Sequence, residues 1–194
     1  TMAQKENGVV VIDLGGGTTD YTAYTNNIVA SVGSLAVGGD HVTNDIALAF
    51  RITNKQAETL KKEAGSARID PALHQQRVAV EADEGERTQT VNHGTLTTVI
   101  NARITELFGI IRDRLAAERV LPHIATGVVL TGGGAHLRDV GKVAEHVFGL
   151  PCAIGHPFGV SGQADVTEVP DFAAPIGVVR HALRFSTVPG PSLG

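Results

Sequence analysis

The stretch that most constrains this chain is GVVVIDLGGGTTDYTAY, residues 8–24. An apolar run, Val9 to Ile12, ends in Asp13. Gly15, Gly16 and Gly17 follow, then Thr18, Thr19 and Asp20, and β-type residues resume at Tyr21. β-Branched residues fit a buried strand, so the pattern predicts strand, tight glycine turn, strand, with an acid at each end of the turn. Glycines let backbone N–H groups approach a ligand closely, and a loop of such donors can cradle phosphate oxygens. A carboxylate beside that cradle would repel phosphate. It makes sense with a Mg²⁺ ion between them, because this hard cation takes carboxylate, water and phosphate oxygens together. Gly-Gly-Gly alone fits an ordinary hairpin turn. The whole frame, Asp-x-Gly-Gly-Gly-Thr-Thr-Asp, favours metal–nucleotide chemistry. No Gly-Lys-Ser/Thr follows, so it is not a Walker A loop, and strand residues rather than a helix follow the glycines, unlike a Rossmann turn.

A second glycine element lies far along the chain. The run Gly127 to Leu130 predicts a strand entering Thr131, Gly132, Gly133 and Gly134, with a helix over about 137–148. A strand leading through glycines to a helix brings backbone amides near a ligand, and bare glycine backbone allows a purine ring to lie flat. Between the two elements, Ile28 to Val37 predicts a third strand. Asp40 then caps a helix with Val42, Ile46, Ala49 and Phe50 on one face. The sequence TNKQ from Thr53 is a Thr-x-x-Gln capping box that opens a further helix, which stops at Gly65. Glu58, Lys61 and Lys62 share one face of it. As a solvated ion pair they would be worth only about 0.3–0.5 kcal/mol; as ligands they would hold a ribose and base from the side.

Residues 66–98 change character, and a short hairpin is expected, Arg77 to Asp83 against Thr88 to Asn92 with a turn at EGER. A long helix over about 96–120 follows, with Ile100, Ile104, Leu107, Ile111 and Leu115 as its apolar stripe. Arg103, Arg112, Arg114, Glu118 and Arg119 lie opposite, either as a soluble face or as a docking face for an acidic peptide. Residues 151–170 read as a short strand and an irregular loop, and DFAAPIGVVRHAL, 171–183, as a small-residue helix packed closely on a neighbour, before a frayed PGPSLG tail.

Composition closes several alternatives. The 194 residues are 42% hydrophobic, enough for a real core in one large domain or two small subdomains, and the net charge of −4 gives no general nucleic-acid or acidic-membrane footprint. One cysteine, Cys152, excludes an internal disulfide and reads as a small core residue; the scattered histidines give no zinc pattern. No apolar run approaches the ~20 residues of a membrane span, and without a signal peptide a cytoplasmic setting is the default. The polar opening TMAQKEN, leading into a strand within a few residues, reads as the start of a fragment cut from something longer. The order β-β-β-α, an insert with helices and a hairpin, then β-α-β-α, predicts an α/β fold: a ribonuclease-H-like mixed sheet flanked by helices, with an inserted α+β subdomain.

Together these pieces resemble the actin, heat-shock chaperone and sugar-kinase superfamily. DLGGGTTD at 13–20 is similar to its second phosphate motif, VVLTGGGAHL at 128–137 to its adenosine motif, and DFAAPIGV at 171–178 to its second connecting helix. Within the superfamily the chain resembles the FtsA family of bacterial cell-division proteins. The matching stretches are VGSLAVGGDHVTNDIALAF at 32–50, AETLKKEAG at 57–65, NARITELFGII at 101–111 and LTGGGAHLRDVGKVAEHVFGLPCAIGHP at 130–157. The resemblance implies an actin-like fold with a core subdomain at 1–42 and 121–194 and an inserted subdomain at 43–120. It implies the C-terminal half of an ATP clamp, without the first phosphate motif and without the family's membrane helix.

By the same resemblance, Asp13 would position Mg²⁺, directly or through water, and Asp20 would stand where the family orients an attacking water. Gly15, Gly16, Gly17, Thr18 and Thr19 would hold the β and γ phosphates of ATP. Glu58, Lys61 and Lys62 would hold ribose and base, and Gly132, Gly133 and Gly134 would back the adenosine. ATPase activity would be weak at most, and absent from a lone half. The implied partners are the FtsZ C-terminal tail on the inserted subdomain near Arg103, further copies in a filament and other division proteins. The implied place is the inner face of the cell membrane at the division site. Two rival readings remain at this point: a pilus-assembly scaffold of similar fold, and a phosphotransferase of the sugar-kinase branch, which VGGDHVTNDI at 37–46 disfavours. A chaperone fits less well, because no substrate-binding β-domain follows Leu183.

Overall fold

The apolar residues Val10, Ile12 and Leu14 alternate along the first strand and are buried on one face, so this strand has to sit in the middle of a sheet. In the computed structural model, which describes residues 1–81, 89–157 and 169–185, that strand is β1, Val9–Leu14. It pairs antiparallel with β2, Thr19–Thr25, which pairs antiparallel with β3, Ile28–Leu35. On its other side it runs parallel to β6, Val128–Thr131, which runs parallel to β7, Cys152–Ile154. The order β3-β2-β1-β6-β7 is a mixed five-stranded sheet, as expected for the ribonuclease-H type. A separate antiparallel hairpin joins β4, Arg77–Val80, to β5, Gln89–Asn92. The expected EGER turn lies outside the described residues, as do most of the loop expected before residue 170 and the PGPSLG tail.

The chain opens differently from its polar sequence: Thr1 and Gln4 form a reciprocal capping box that starts α1, Met2–Asn7. Helix α2 is Gly39–Phe50. Its N-cap is Gly38, not Asp40, which sits in the first turn where its charge favours the helix dipole. The buried face is Val42, Thr43, Ile46 and Ala47. Ala49, expected on that face, is exposed, because the buried face is centred between Thr43 and Ile46, and at 3.6 residues per turn Ala49 lies about 90° from that centre. Helix α3, Asn54–Ala64, begins at the Thr53 capping box and ends at Gly65 as the sequence predicts.

Helix α4, His93–Ala117, buries the whole predicted stripe and adds Phe108, whose ring lies 6.0 Å from that of Phe148. Phe148 ends α5, Val140–Phe148. This helix starts later than the sequence suggests. Gly133–His136 form a 3₁₀ turn first, and Asp139 precedes the helix at φ 61°. The last helix, α6, is Ala173–Phe185. The close packing expected of its small residues is not present among the described residues: a Cβ on Gly177 would meet nothing within 4 Å, and Val178, Val179 and Leu183 are exposed. Cys152 is half-buried, and burial followed by the Glu145 charge pushes its thiol up to about 11, so it is unreactive at neutral pH. One hydrophobic cluster runs from β1 and β2 through α2, α3 and α4 to α5, which holds the loops above it in fixed relation.

Candidate functional site

The glycine turn after β1 is built by short-range backbone bonding. Gly15 N–H donates to the Thr18 carbonyl (3.0 Å), closing the turn. The N-terminus of α2 then grips the turn from below. Gly39 N–H donates to the Gly15 carbonyl and Asp40 N–H to the Gly16 carbonyl, both at 2.9 Å. Such helix donors have no partner within the helix, so the glycine loop satisfies them. The loop spends its carbonyls on α2, while the N–H groups of Gly16, Gly17 and Thr18 have no hydrogen-bond acceptor among the described residues. Those free donors are what an anion cradle requires. The fit is close at Gly38, where a Cβ would stand 2.5 Å from the Gly15 carbonyl oxygen.

On the other side of the opening lies the second glycine turn. A Cβ on Gly134 would stand 2.7 Å from the Leu14 Cβ, so the turn lies against the end of β1. Gly132 takes φ +81°, which glycine adopts freely, and it leaves room for the Asp13 carboxylate that a side chain would overlap. The turn is strapped to the segment that precedes α6. Thr131 Oγ1 and Gly132 N–H both donate to the Pro170 carbonyl, at 2.9 and 3.1 Å, and His136 Nε2 pairs with the Asp171 carboxylate.

Between the two turns lies a cleft of about 820 Å³, with α3 along its side. Of the sequence-predicted residues it brings together Gly15, Gly16, Thr19, Glu58, Lys61, Lys62, Gly133 and Gly134. Thr19 is fully buried and its hydroxyl donates to the Val37 carbonyl (2.8 Å), so it holds the loop in place. Glu58 forms ion pairs with Lys61 (2.6 Å) and Lys62 (3.1 Å). Partial burial opposes its charge, but hydrogen bonds from Lys61, Thr43 and Lys62 outweigh that and hold its carboxyl at about 2. The cleft also contains Asp40, His136, Arg138 and Asp171, which the sequence reading did not assign to the site. Asp40 directly follows the glycine pair that contacts the loop, and His136 and Arg138 fall within four residues of Gly134. Those neighbourhoods were the available signals. Nothing in the sequence pairs His136 with Asp171.

Asp13, Gly17, Thr18, Asp20 and Gly132 are not part of the cleft lining. Asp13 and Asp20 are direct cross-strand partners on β1 and β2, on the sheet face opposite Ile12 and Leu14. Thr18 Oγ1 donates to Asp20 (3.3 Å). Burial and then the Asp20 charge push the Asp13 carboxyl above its ordinary value. Two like charges held side by side, one of them half-buried, match what a hard divalent cation with its waters would relieve. Arg103 does not stand free for a peptide. Its guanidinium grips Asp45 with two nitrogens (2.7 and 3.1 Å) and Glu106 with a third (2.6 Å).

Comparisons with known proteins bear on the family and the fold. The family model described as "Cell division protein FtsA" matches residues 10–177. A curated relative from Pseudomonas aeruginosa, also called cell division protein FtsA, is 30% identical over 184 residues, 95% of this chain and 44% of its own length. The chain spans under half the length of the curated relatives it matches. Among solved structures, MreB5 of Spiroplasma citri bound to ADP aligns with a TM-score of 0.71 at 20% identity, covering 93% of this chain and 55% of that one. The PilM–PilN type IV pilus biogenesis complex aligns with a TM-score of 0.69 at 18% identity, covering 94% and 48%. These two likenesses establish an actin-like fold.

Proposed function

The chain belongs to the FtsA family of cell-division proteins, and from that membership we propose that it forms the ATP-binding half of an actin-like protein of the division site. The observation that carries the reading is the convergence of two glycine turns and the Glu58 face of α3 on one cleft. In this reading the N–H groups of Gly16, Gly17 and Thr18 hold phosphate oxygens. Gly133 and Gly134 back the adenine, and Glu58, Lys61 and Lys62 hold the ribose and base. Asp13 is the residue that would hold Mg²⁺, directly or through water, and the ion when bound supplies charge neutralisation to the phosphates; Asp20 would stand where an attacking water is oriented. That MreB5 was solved with ADP, and also with AMPPNP, supports an adenine nucleotide.

The remainder of the proposal concerns the whole protein. It polymerises, works with other division proteins and tethers the FtsZ ring to the membrane through segments outside these 194 residues. The FtsZ tail docks on the inserted subdomain, residues 43–120, and any use of Arg103 requires that the peptide displace Asp45 or Glu106. The pilus-scaffold reading rests on a likeness in fold alone, whereas the family match favours cell division. Calorimetry on the full-length protein tests the core of the proposal. Mg-ATP binds, and Asp13→Ala weakens it at least fivefold in Mg²⁺ but not in EDTA. Affinity that is unchanged by Asp13→Ala removes the metal role, and absence of binding to the wild type sinks the reading. In a pull-down with an FtsZ tail peptide, clean failure of the full-length protein would sink the tethering part.

A further inference from the structure

The His136–Asp171 pair lines the cleft but has no part in the reading above. Asp171 follows Pro170, whose carbonyl accepts hydrogen bonds from Thr131 Oγ1 and Gly132 N–H. Those two bonds already fix the backbone that carries Asp171 against the second glycine turn. An exposed ion pair adds little to a strap of that kind, so the pair asks for another role. One carboxylate oxygen, Oδ2, accepts from His136 Nε2. The other, Oδ1, lies at Gly133, where an added Cβ would stand 3.2 Å from it. Oδ1 has no hydrogen-bond or ion-pair partner among the described residues. A carboxylate oxygen is an acceptor only. The cleft therefore holds a free, oriented acceptor beside the glycine that backs the base.

We propose that Asp171 is a specificity-determining residue: its free oxygen accepts a hydrogen bond from the 6-amino group of adenine. His136 is the positioning residue that holds the carboxylate in that orientation. This role rests on the nucleotide reading and deepens it by naming the group that tells one purine from another. Adenine carries an amino donor at C6, whereas guanine carries a carbonyl acceptor there. Guanine would set acceptor against acceptor, which costs more than a missing contact. Guanine's neighbouring donors, N1–H and the 2-amino group, suit a carboxylate with both oxygens free. Here Oδ2 is already taken by His136, which leaves one acceptor for one donor.

The test uses the full-length protein and a fluorescent ATP analogue, displaced in turn by ATP, by GTP and by purine riboside triphosphate, which lacks only the 6-amino group. The wild type binds ATP five- to tenfold tighter than purine riboside triphosphate, and GTP more weakly still. Asp171→Ala weakens ATP alone and brings that ratio within twofold of one, with Mg-tripolyphosphate unchanged. His136→Phe keeps a ring but no donor, and lowers the ratio about two- to threefold. The two side chains are 56% and 43% exposed, so neither change opens a buried cavity. A wild-type ratio near one, a ratio that Asp171→Ala leaves unchanged, or GTP binding tighter than ATP would overturn the proposal and leave the nucleotide reading standing. Equal loss of ATP and purine riboside triphosphate in Asp171→Ala would make Asp171 a strap only and overturn it too. Absence of ATP binding to the wild type sinks the nucleotide reading and this role with it.

Discussion

Gly38 is where the geometry makes its sharpest demand. The residue has φ −156° and ψ −160°, a conformation any residue adopts, so Gly38→Ala carries no backbone penalty. Its cost is steric. The new Cβ would stand 2.5 Å from the Gly15 carbonyl oxygen and would overlap that of Gly16, both of them backbone atoms that cannot swing aside. The glycine turn must therefore move by about 1 Å away from α2 to reach ordinary contact distance. That shift lengthens two bonds that now measure 2.9 Å, Gly39 N–H to Gly15 and Asp40 N–H to Gly16. Overpacking costs about 1–3 kcal/mol, and each weakened bond adds roughly 0.5–1 kcal/mol. A total of about 2–5 kcal/mol lowers Tm by roughly 4–20 °C in a protein of this size. Gly17 is the internal control, since a Cβ there meets nothing within 4 Å and Gly17→Ala should leave Tm within about 1 °C. Thermal unfolding followed by circular dichroism compares the two variants directly. Equal melting of Gly38→Ala and Gly17→Ala would show that α2 does not grip the turn, and the construction of the site would be wrong.

Other expectations follow from charge and backbone. Glu58 is held at about 2 against an ordinary 4.5, so its ion pairs stabilise the fold above pH 4.5 and are lost as pH falls through about 2. The full shift would be worth about 3.4 kcal/mol at 1.36 kcal/mol per unit, but the side chain is 34% exposed, so about 1 kcal/mol is expected. Glu58→Gln should lose that much at pH 7 in urea titrations, with the gap narrowing below pH 4.5; a gap independent of pH would refute the ion-pair account. Asp13 is shifted the other way, so its charge costs stability at neutral pH and the cost disappears as pH falls. In metal-free buffer Asp13→Asn should raise Tm, and added Mg²⁺ should stabilise only the wild type; a fall in Tm would show that the carboxylate has an unrecognised partner. Gly132→Ala combines φ +81° with overlap on the Asp13 carboxylate, and should cost about 2–4 kcal/mol by denaturant unfolding. A loss below 1 kcal/mol would mean that the turn relaxes freely.

What could be read from the sequence was local. The Thr53 capping box, the α4 stripe and the strand–glycine–strand opening are written in residues a few positions apart, and the structure reproduces them. The burial of Ala47 in place of Ala49 is a matter of helix phase, which depends on what α2 packs against. The delayed start of α5 comes from a glycine turn followed by Asp139 at positive φ, and no periodicity signals that. The site divides in the same way. Both glycine turns and the Glu58 face were legible because their residue types are unusual in those patterns. The bonds of Lys61 to Thr43 and the Gly39 carbonyl were not, because both acceptors lie on another helix. Arg103 looked like a docking cation until Asp45, 58 positions away, was brought against it. His136 and Asp171 meet only because the segment before α6 is strapped over the second glycine turn.

The central claim is that the cleft between the two glycine turns holds an adenine nucleotide with its base against Gly133 and Gly134. Photolabelling of the full-length protein with 8-azido-ATP and Mg²⁺, followed by peptide mapping, addresses it most directly, because the azide reacts within reach of the base. The account predicts label on peptides containing residues 132–138 or 58–62, suppressed by excess ATP and retained in Gly17→Ala. Label confined to other peptides, or label that excess ATP does not suppress, would contradict it.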